Sequence, residues 1–133
     1  MDEERILGKV DELDQYQKEL KESLPSSLEE YKENRRKYER LLHLSIEVVV
    51  DISALILKEE GLGAPSDEGS VFDKLVEAEI FDAEFGSKLR NMKSFRNVLV
   101  HRYGEINDKE VFEKLDELED FKKFRKRVIE YLD

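Results

Sequence analysis

Apolar residues recur at three- and four-residue steps along most of this chain, a spacing that predicts amphipathic helices. From about Glu3 to Glu22 the series is Ile6, Val10, Leu13, Leu20 and Leu24, with the polar Gln17 filling one of its positions. Pro25 ends that helix, and Ser26 or Ser27, followed three residues later by Glu29 or Glu30, offers a capping box for the next. The second helix is predicted from about Leu28 to Glu60. Its seam is Leu28, Tyr31, Tyr38, Leu42, Val49, Ile52 and Ile56, with Arg35 and Ser45 as interruptions. From Leu41 to Leu57 it is apolar nearly all round, so this half is expected either at the centre of a bundle or against a second subunit. The β-branched run from Ile46 to Ile52 is compatible with a strand, but its flanks of Leu, Glu, Lys and Arg, free of turn residues, favour helix.

Gly61-Leu62-Gly63-Ala64-Pro65 reads as a helix stop and loop. Ser70 with Asp73 caps a short helix carrying Val71, Phe72, Leu75 and Val76 that ends near Ile80, and Asp82 starts another. That helix has Phe85, Leu89, Met92, Phe95 and Leu99 on its core face and is predicted to stop at Gly104. Asn107 with Glu110 caps a last helix, with Val111, Leu115, Leu118, Phe121, Val128 and Leu132 on one side. No stretch alternates at period two between turn residues. The fold class implied is all-α, an antiparallel bundle of about five helices in a single domain over residues 1–133.

Composition narrows the chemistry. The absence of cysteine removes thiolate nucleophiles, disulfides and cysteine-ligated zinc together, and two histidines alone argue against a structural zinc site. No segment is apolar for long enough to cross a bilayer, and the acidic start Met1-Asp2-Glu3-Glu4-Arg5 is unlike a signal peptide, so no membrane association is expected and the cytoplasm is the default. A net charge of −10 argues against coating nucleic acid through the overall field. Between Ser87 and Gly104, however, there is no acidic residue, while Lys88, Arg90, Lys93, Arg96 and Arg102 fall there beside His101. Such an island is either a solvated helix face or a polyanion contact. The basic run Lys122 to Arg127 lies near the end of the last helix, where it suits the helix dipole, and reads as a solvated face.

Sequence motifs for a phosphate loop, a dinucleotide fold, a serine hydrolase elbow or a paired His-Glu metal helix are absent. The candidate chemistry is the cluster from Arg96 through His101 to Tyr103: a permanent cation, an imidazole that titrates near neutrality and a phenol. At about 100° per residue Arg96 falls within about 40° of Phe85 and Met92, so it projects into the apolar stripe and needs a counter-charge. Glu47 and Asp51 are the best candidates. With His43 they form a polar stripe at four-residue steps on the long helix, which is either its one wet edge or the carboxylate partner of a buried cation. His101 lies about 140° round from Arg96, so a site using both gains from a second wall, supplied by a neighbouring helix or another subunit.

Phe95-Arg96-Asn97-Val98-Leu99-Val100-His101-Arg102-Tyr103 resembles the Arg-x4-His-x-Tyr signature of the HepT-like branch of the HEPN superfamily. The similarity extends upstream through Val50-Asp51-Ile52-Ser53, Glu60-Gly61-Leu62-Gly63-Ala64-Pro65 and Phe72-Asp73-Lys74-Leu75. What the resemblance implies is a toxin that forms a homodimer, with the Arg and His motifs of both subunits lining one cleft. Its implied partner is a minimal nucleotidyltransferase antitoxin, its implied activity metal-independent cleavage of RNA, and no cofactor is expected. Carried over, Arg96 and His101 are the catalytic pair and Tyr103 the site of AMP transfer. Asn97, Asp51 and Glu47 are the supporting residues, and Arg90, Lys93 and Arg102 the expected RNA contacts. The alternative is a non-catalytic interaction module whose tyrosine receives the nucleotide.

Overall fold

The computed structural model describes residues 3–63, 70–101 and 107–133, which form seven α-helices and one 3-10 turn with no strand among them. The first helix, α1 (Glu3–Glu22), has the predicted bounds and buries Ile6, Val10, Leu13, Gln17 and Leu20 along the long central helix. The two polar interruptions of the hydrophobic series meet in that interface. Gln17 Nε2 donates to Ser45 Oγ at 3.0 Å, so the two buried side chains are paired through the amide nitrogen, while Gln17 Oε1 has no partner among the described residues.

The predicted second helix is two helices. Asn34, at φ −127° and ψ 31°, separates α2 (Leu28–Glu33) from α3 (Arg35–Glu59). Ser27 supplies the N-cap of α2, accepting from Glu30 N at 3.1 Å, while the Glu30 carboxylate accepts from Ser26 Oγ at 2.7 Å. The bend at Asn34 lets α2 turn onto the far end of the bundle. There Tyr31 stacks on Tyr38 with ring centroids 5.5 Å apart and meets Phe112 at 6.3 Å. Arg35, an interruption of the seam, reaches out to Asp108 at 2.6 Å.

The apolar half of α3 is covered by its own chain. Leu41, Leu42, Ile46, Val48, Val49, Val50, Ile52, Leu55, Ile56 and Leu57 are all buried, against α1 on one side and α4, α5 and α7 on the other. Of the two settings the sequence left open, this half takes the centre of the bundle, and its apolar surface is no argument for a second subunit. No helix among the described residues is long and apolar enough to cross a membrane.

Helix α4 (Ser70–Glu77) closes through a left-handed Glu79 (φ 62°), after which Ile80 N returns to Leu75 O at 3.0 Å. Asp82 caps α5 (Ala83–His101) as predicted, its Oδ1 accepting from Phe85 N at 2.8 Å. The two helices cross closely at Gly86, where a methyl group would stand 2.4 Å from Val76 Cγ2. Asn107 caps α6 (Asp108–Lys114), but the predicted last helix is then broken by a 3-10 turn at Leu115–Glu117 before α7 (Glu119–Leu132). This break and the one at Asn34 account for seven helices where about five were expected. Phe81, Phe85 and Phe124 join α7 to the start of α5, and Arg125 ties α7 to Asp14 of α1 at 2.8 Å.

Candidate functional site

The face of α5 that carries Arg96 lies along α3, and burial follows from the helical spacing. Phe85, Leu89 and Phe95 are buried, Met92 and Leu99 partly so, and the Arg96 side chain is 12% exposed among them. The needed counter-charge is Glu47, whose Oε1 accepts from Arg96 Nη1 at 3.3 Å. Asp51, the other candidate, lies one turn further along α3 and pairs instead with Lys9 of α1 at 3.5 Å.

Glu47 serves two side chains. Its second oxygen, Oε2, stands 2.8 Å from Nε2 of His43, one turn back on α3. The carboxylate is 43% exposed and the imidazole 33%, so water reaches the outer side of the group while the guanidinium lies on the inner side. The polar stripe of α3 is thus both things it was read as: the wet edge of an apolar helix and the partner of a buried cation. His43 was not singled out as a site residue. The signal available in the sequence was its four-residue spacing from Glu47.

The basic island is largely neutralised from within the chain. Arg90 Nη1 contacts both carboxylate oxygens of Asp73 on α4, at 2.9 and 2.8 Å, and Lys88 lies 4.0 Å from Asp120 of α7. Among the described residues Lys93, half-buried beside Arg96, has no ion-pair partner. Asn97 and His101 belong to the last turns of α5, and only their backbone is described; Arg102 and Tyr103 lie outside the described residues. Among the described residues no group of three His, Asp or Glu side chains converges as a metal-ligating set.

A groove of about 290 Å³ lies on another flank of α5, floored by Leu42, Ile46, Met92, Phe95 and Phe121. Its rim alternates in sign, with Lys114 standing over the Phe95 ring at 5.4 Å, and Arg96 is not part of its lining. What distinguishes the Arg96 face is different: a permanent, planar, hydrogen-bonding cation held at the boundary between core and water, suited to an oxyanion such as a phosphate.

Comparison with known proteins agrees with this reading of the fold. A family model described as Ribonuclease HepT-like matches residues 6–128. An Archaeoglobus fulgidus protein described as a candidate RNase is 36% identical over 90 residues, which is 67% of each chain. A structure of a tri-AMPylated Shewanella oneidensis HEPN toxin in complex with MNT antitoxin superposes with a TM-score of 0.84, at 24% identity, over 95% of this chain and 96% of that one. The cytosolic Bacillus subtilis protein YutE superposes with a TM-score of 0.86, at 18% identity, over 99% of this chain and 91% of its own. At these identities the two structural likenesses are likenesses of fold.

Proposed function

The chain belongs to the Ribonuclease HepT-like family, and on that premise we propose that it is the toxin of a toxin–antitoxin pair, a cytoplasmic, metal-independent endoribonuclease acting through Arg96 and His101. The observation that carries the reading is the setting of Arg96: 12% exposed, held by Glu47, and five residues ahead of His101 on the same helix. Cleavage of RNA without a metal proceeds by attack of the 2′-oxygen on the adjacent phosphorus. A base must take the 2′-proton, an acid must protonate the departing 5′-oxygen, and the phosphorane between them carries added negative charge. His101 exchanges the proton and the Arg96 guanidinium stabilises the phosphorane. Lys93 and Arg102 guide the strand, and a 2′-hydroxyl is indispensable to the route.

Because Arg96 and His101 stand about 140° apart on one helix, the opposite wall of the cleft comes from a second copy of the chain. The partner in this proposal is a minimal nucleotidyltransferase antitoxin. The tyrosine at 103 is its target: the phenol oxygen attacks the α-phosphorus of ATP, pyrophosphate leaves, and the added phosphate and base occupy the cleft. A second reading is an interaction module that receives AMP but cleaves nothing; the AMPylated state of the Shewanella toxin supports the AMP transfer that both readings share.

Incubating the purified, unmodified chain with labelled RNA in EDTA separates the two. Fragments ending in 2′,3′-cyclic phosphate, absent with His101→Ala and Arg96→Ala variants that retain their helical circular dichroism, support the ribonuclease. Intact RNA, or cleavage that survives His101→Ala, rejects it. Co-expression with a neighbouring nucleotidyltransferase should add an AMP-sized mass that Tyr103→Phe abolishes, and an increment that survives the substitution rejects Tyr103 as the acceptor.

A further inference from the structure

We infer that Arg36 and Arg40 of α3 form a phosphate track for the RNA strand where it leaves the motif site; the inference rests on the ribonuclease reading above for its ligand. Both side chains are exposed. On an ideal helix each falls within about 20° of Glu47, one to either side, so the polar stripe of α3 continues past Glu47 and His43 into two arginines. Arg40 lies about 10 Å along the axis from Glu47, and Arg36 one turn, about 6 Å, further on. Among the described residues neither has an ion-pair partner. Arg35 takes Asp108 at 2.6 Å, and the half-buried Glu39 lies toward Tyr31 and Arg35, with a weaker influence from Arg36.

The track also points the right way. Helix α5 is antiparallel to α3: its first turn crosses α4, which Lys74 ties to Leu62 O beyond the end of α3 at 3.3 Å, and α6, which follows α5, is tied to Arg35 at the start of α3. Going from Glu47 to Arg40 to Arg36 is therefore the direction from Arg96 to His101. A strand whose reacting phosphate lies between those two motif residues passes over the arginines at one of its ends.

Stability does not account for the pair. Like charges one turn apart repel, and the first turn of α3 holds no acidic residue although a cation there opposes the helix dipole. Arg90, Arg125 and Arg127 are paired internally, with Asp73, Asp14 and Asp82. Arg36 and Arg40 keep planar, forked donors open to water, the geometry that phosphate oxygens accept. Lys122 and Lys126 of α7 also lack ion-pair partners among the described residues, but α7 is joined to the early turns of α5 through Asp82 and Lys88, away from the motif.

The test separates binding from cleavage by using a fluorescein-labelled 2′-O-methyl oligouridylate, whose blocked 2′-oxygens cannot attack. For single strands each neutralised phosphate shifts the logarithm of affinity by about 0.7 per unit of log salt, about five-fold between 1 M and 0.1 M. Arg36→Gln/Arg40→Gln should therefore weaken binding about 25-fold at about 0.1 M salt and flatten the salt dependence by about 1.4. Lys122→Gln/Lys126→Gln removes the same net charge and should change the affinity less than about two-fold. With cleavable RNA the arginine variant should raise KM by a factor similar to its loss of binding. Relief of the repulsion should leave its Tm level or slightly raised. Should the double variant not fold, Arg40→Gln alone, expected at about five-fold, decides. If the wild type binds with these differences but cleaves no RNA, the ribonuclease reading fails and the track stands. A wild type that does not bind, an arginine variant that binds as well as the wild type, or an equal loss in the α7 variant overturns it.

Discussion

Removing the charge of Glu47 without changing its length tests how Arg96 is held. Glu47→Gln retains an oxygen that can accept from the guanidinium, so what is lost is mainly the ionic part of the contact. A shielded hydrogen bond to a charged group contributes about 1.5–3 kcal/mol, whereas an exposed ion pair contributes about 0–1 kcal/mol. The present pair stands between these limits. Its guanidinium is 12% exposed, its carboxylate 43%, and its 3.3 Å separation is longer than that of a strong charge-assisted bond. The expected cost is therefore about 1–2 kcal/mol, well below the roughly 3–5 kcal/mol of a broken, fully buried pair, because water can solvate what remains. For 133 residues, an unfolding entropy of about 0.28 kcal/mol/K converts this to a fall in Tm of about 4–7 °C. Asp51→Asn is the internal control. Asp51 meets Lys9 at 3.5 Å with both side chains partly in water, and its loss should cost under about 0.5 kcal/mol. Calorimetry of both variants beside the wild type gives the answer. Equal midpoints for all three, or a larger loss with Asp51→Asn, would show that Glu47 is not what holds Arg96.

Two further outcomes concern the frame. Gln17→Leu and Ser45→Ala should each destabilise by about 1–2 kcal/mol in denaturant melts by stranding the other buried group, while the double variant should return close to wild type; strictly additive losses would show that the two groups are not coupled. Gly86→Ala should lower stability by about 1–3 kcal/mol, since the methyl group meets Val76 and the overpacking exceeds the roughly 1 kcal/mol gained in helix propensity. A raised Tm would refute the close crossing of α4 and α5.

The parts of this structure that depend on neighbours in sequence were legible in it. The span of α1 and the caps at Ser27, Asp82 and Asn107 follow from residues within one turn of each other. The break at Asn34 was hidden because the seam from Tyr31 to Tyr38 continues across it, and hydrophobic periodicity does not register one residue leaving helical geometry. The excess of apolar residues on α3 was visible, but the number of helices that would surround it was not. Periodicity put Glu47 and Asp51 on one face. The choice between them depends on Lys9, which arrives from α1 and takes Asp51. The positive island was likewise readable as composition, while its neutralisation is tertiary, through Asp73 and Asp120 on other helices.

That neutralisation has a thermodynamic consequence for any polyanion that docks along α5. Binding to free lysines and arginines draws strength from the small ions it liberates, and for single strands the logarithm of the affinity falls by about 0.7 per neutralised phosphate for each unit of log salt. Lys88, Arg90 and Arg96 already have internal carboxylates as counterions, and among the described cations of the island Lys93 alone is without one. A ligand that displaces an internal carboxylate releases nothing into bulk solution and leaves a fixed negative charge beside itself. The salt slope should accordingly lie nearer the −0.7 of one exchangeable cation than the roughly −2.8 of four. With a net charge of −10 repelling polyanions at a distance, capture then depends on fit at short range, and association is slow at low salt and quickens as ionic strength screens the repulsion.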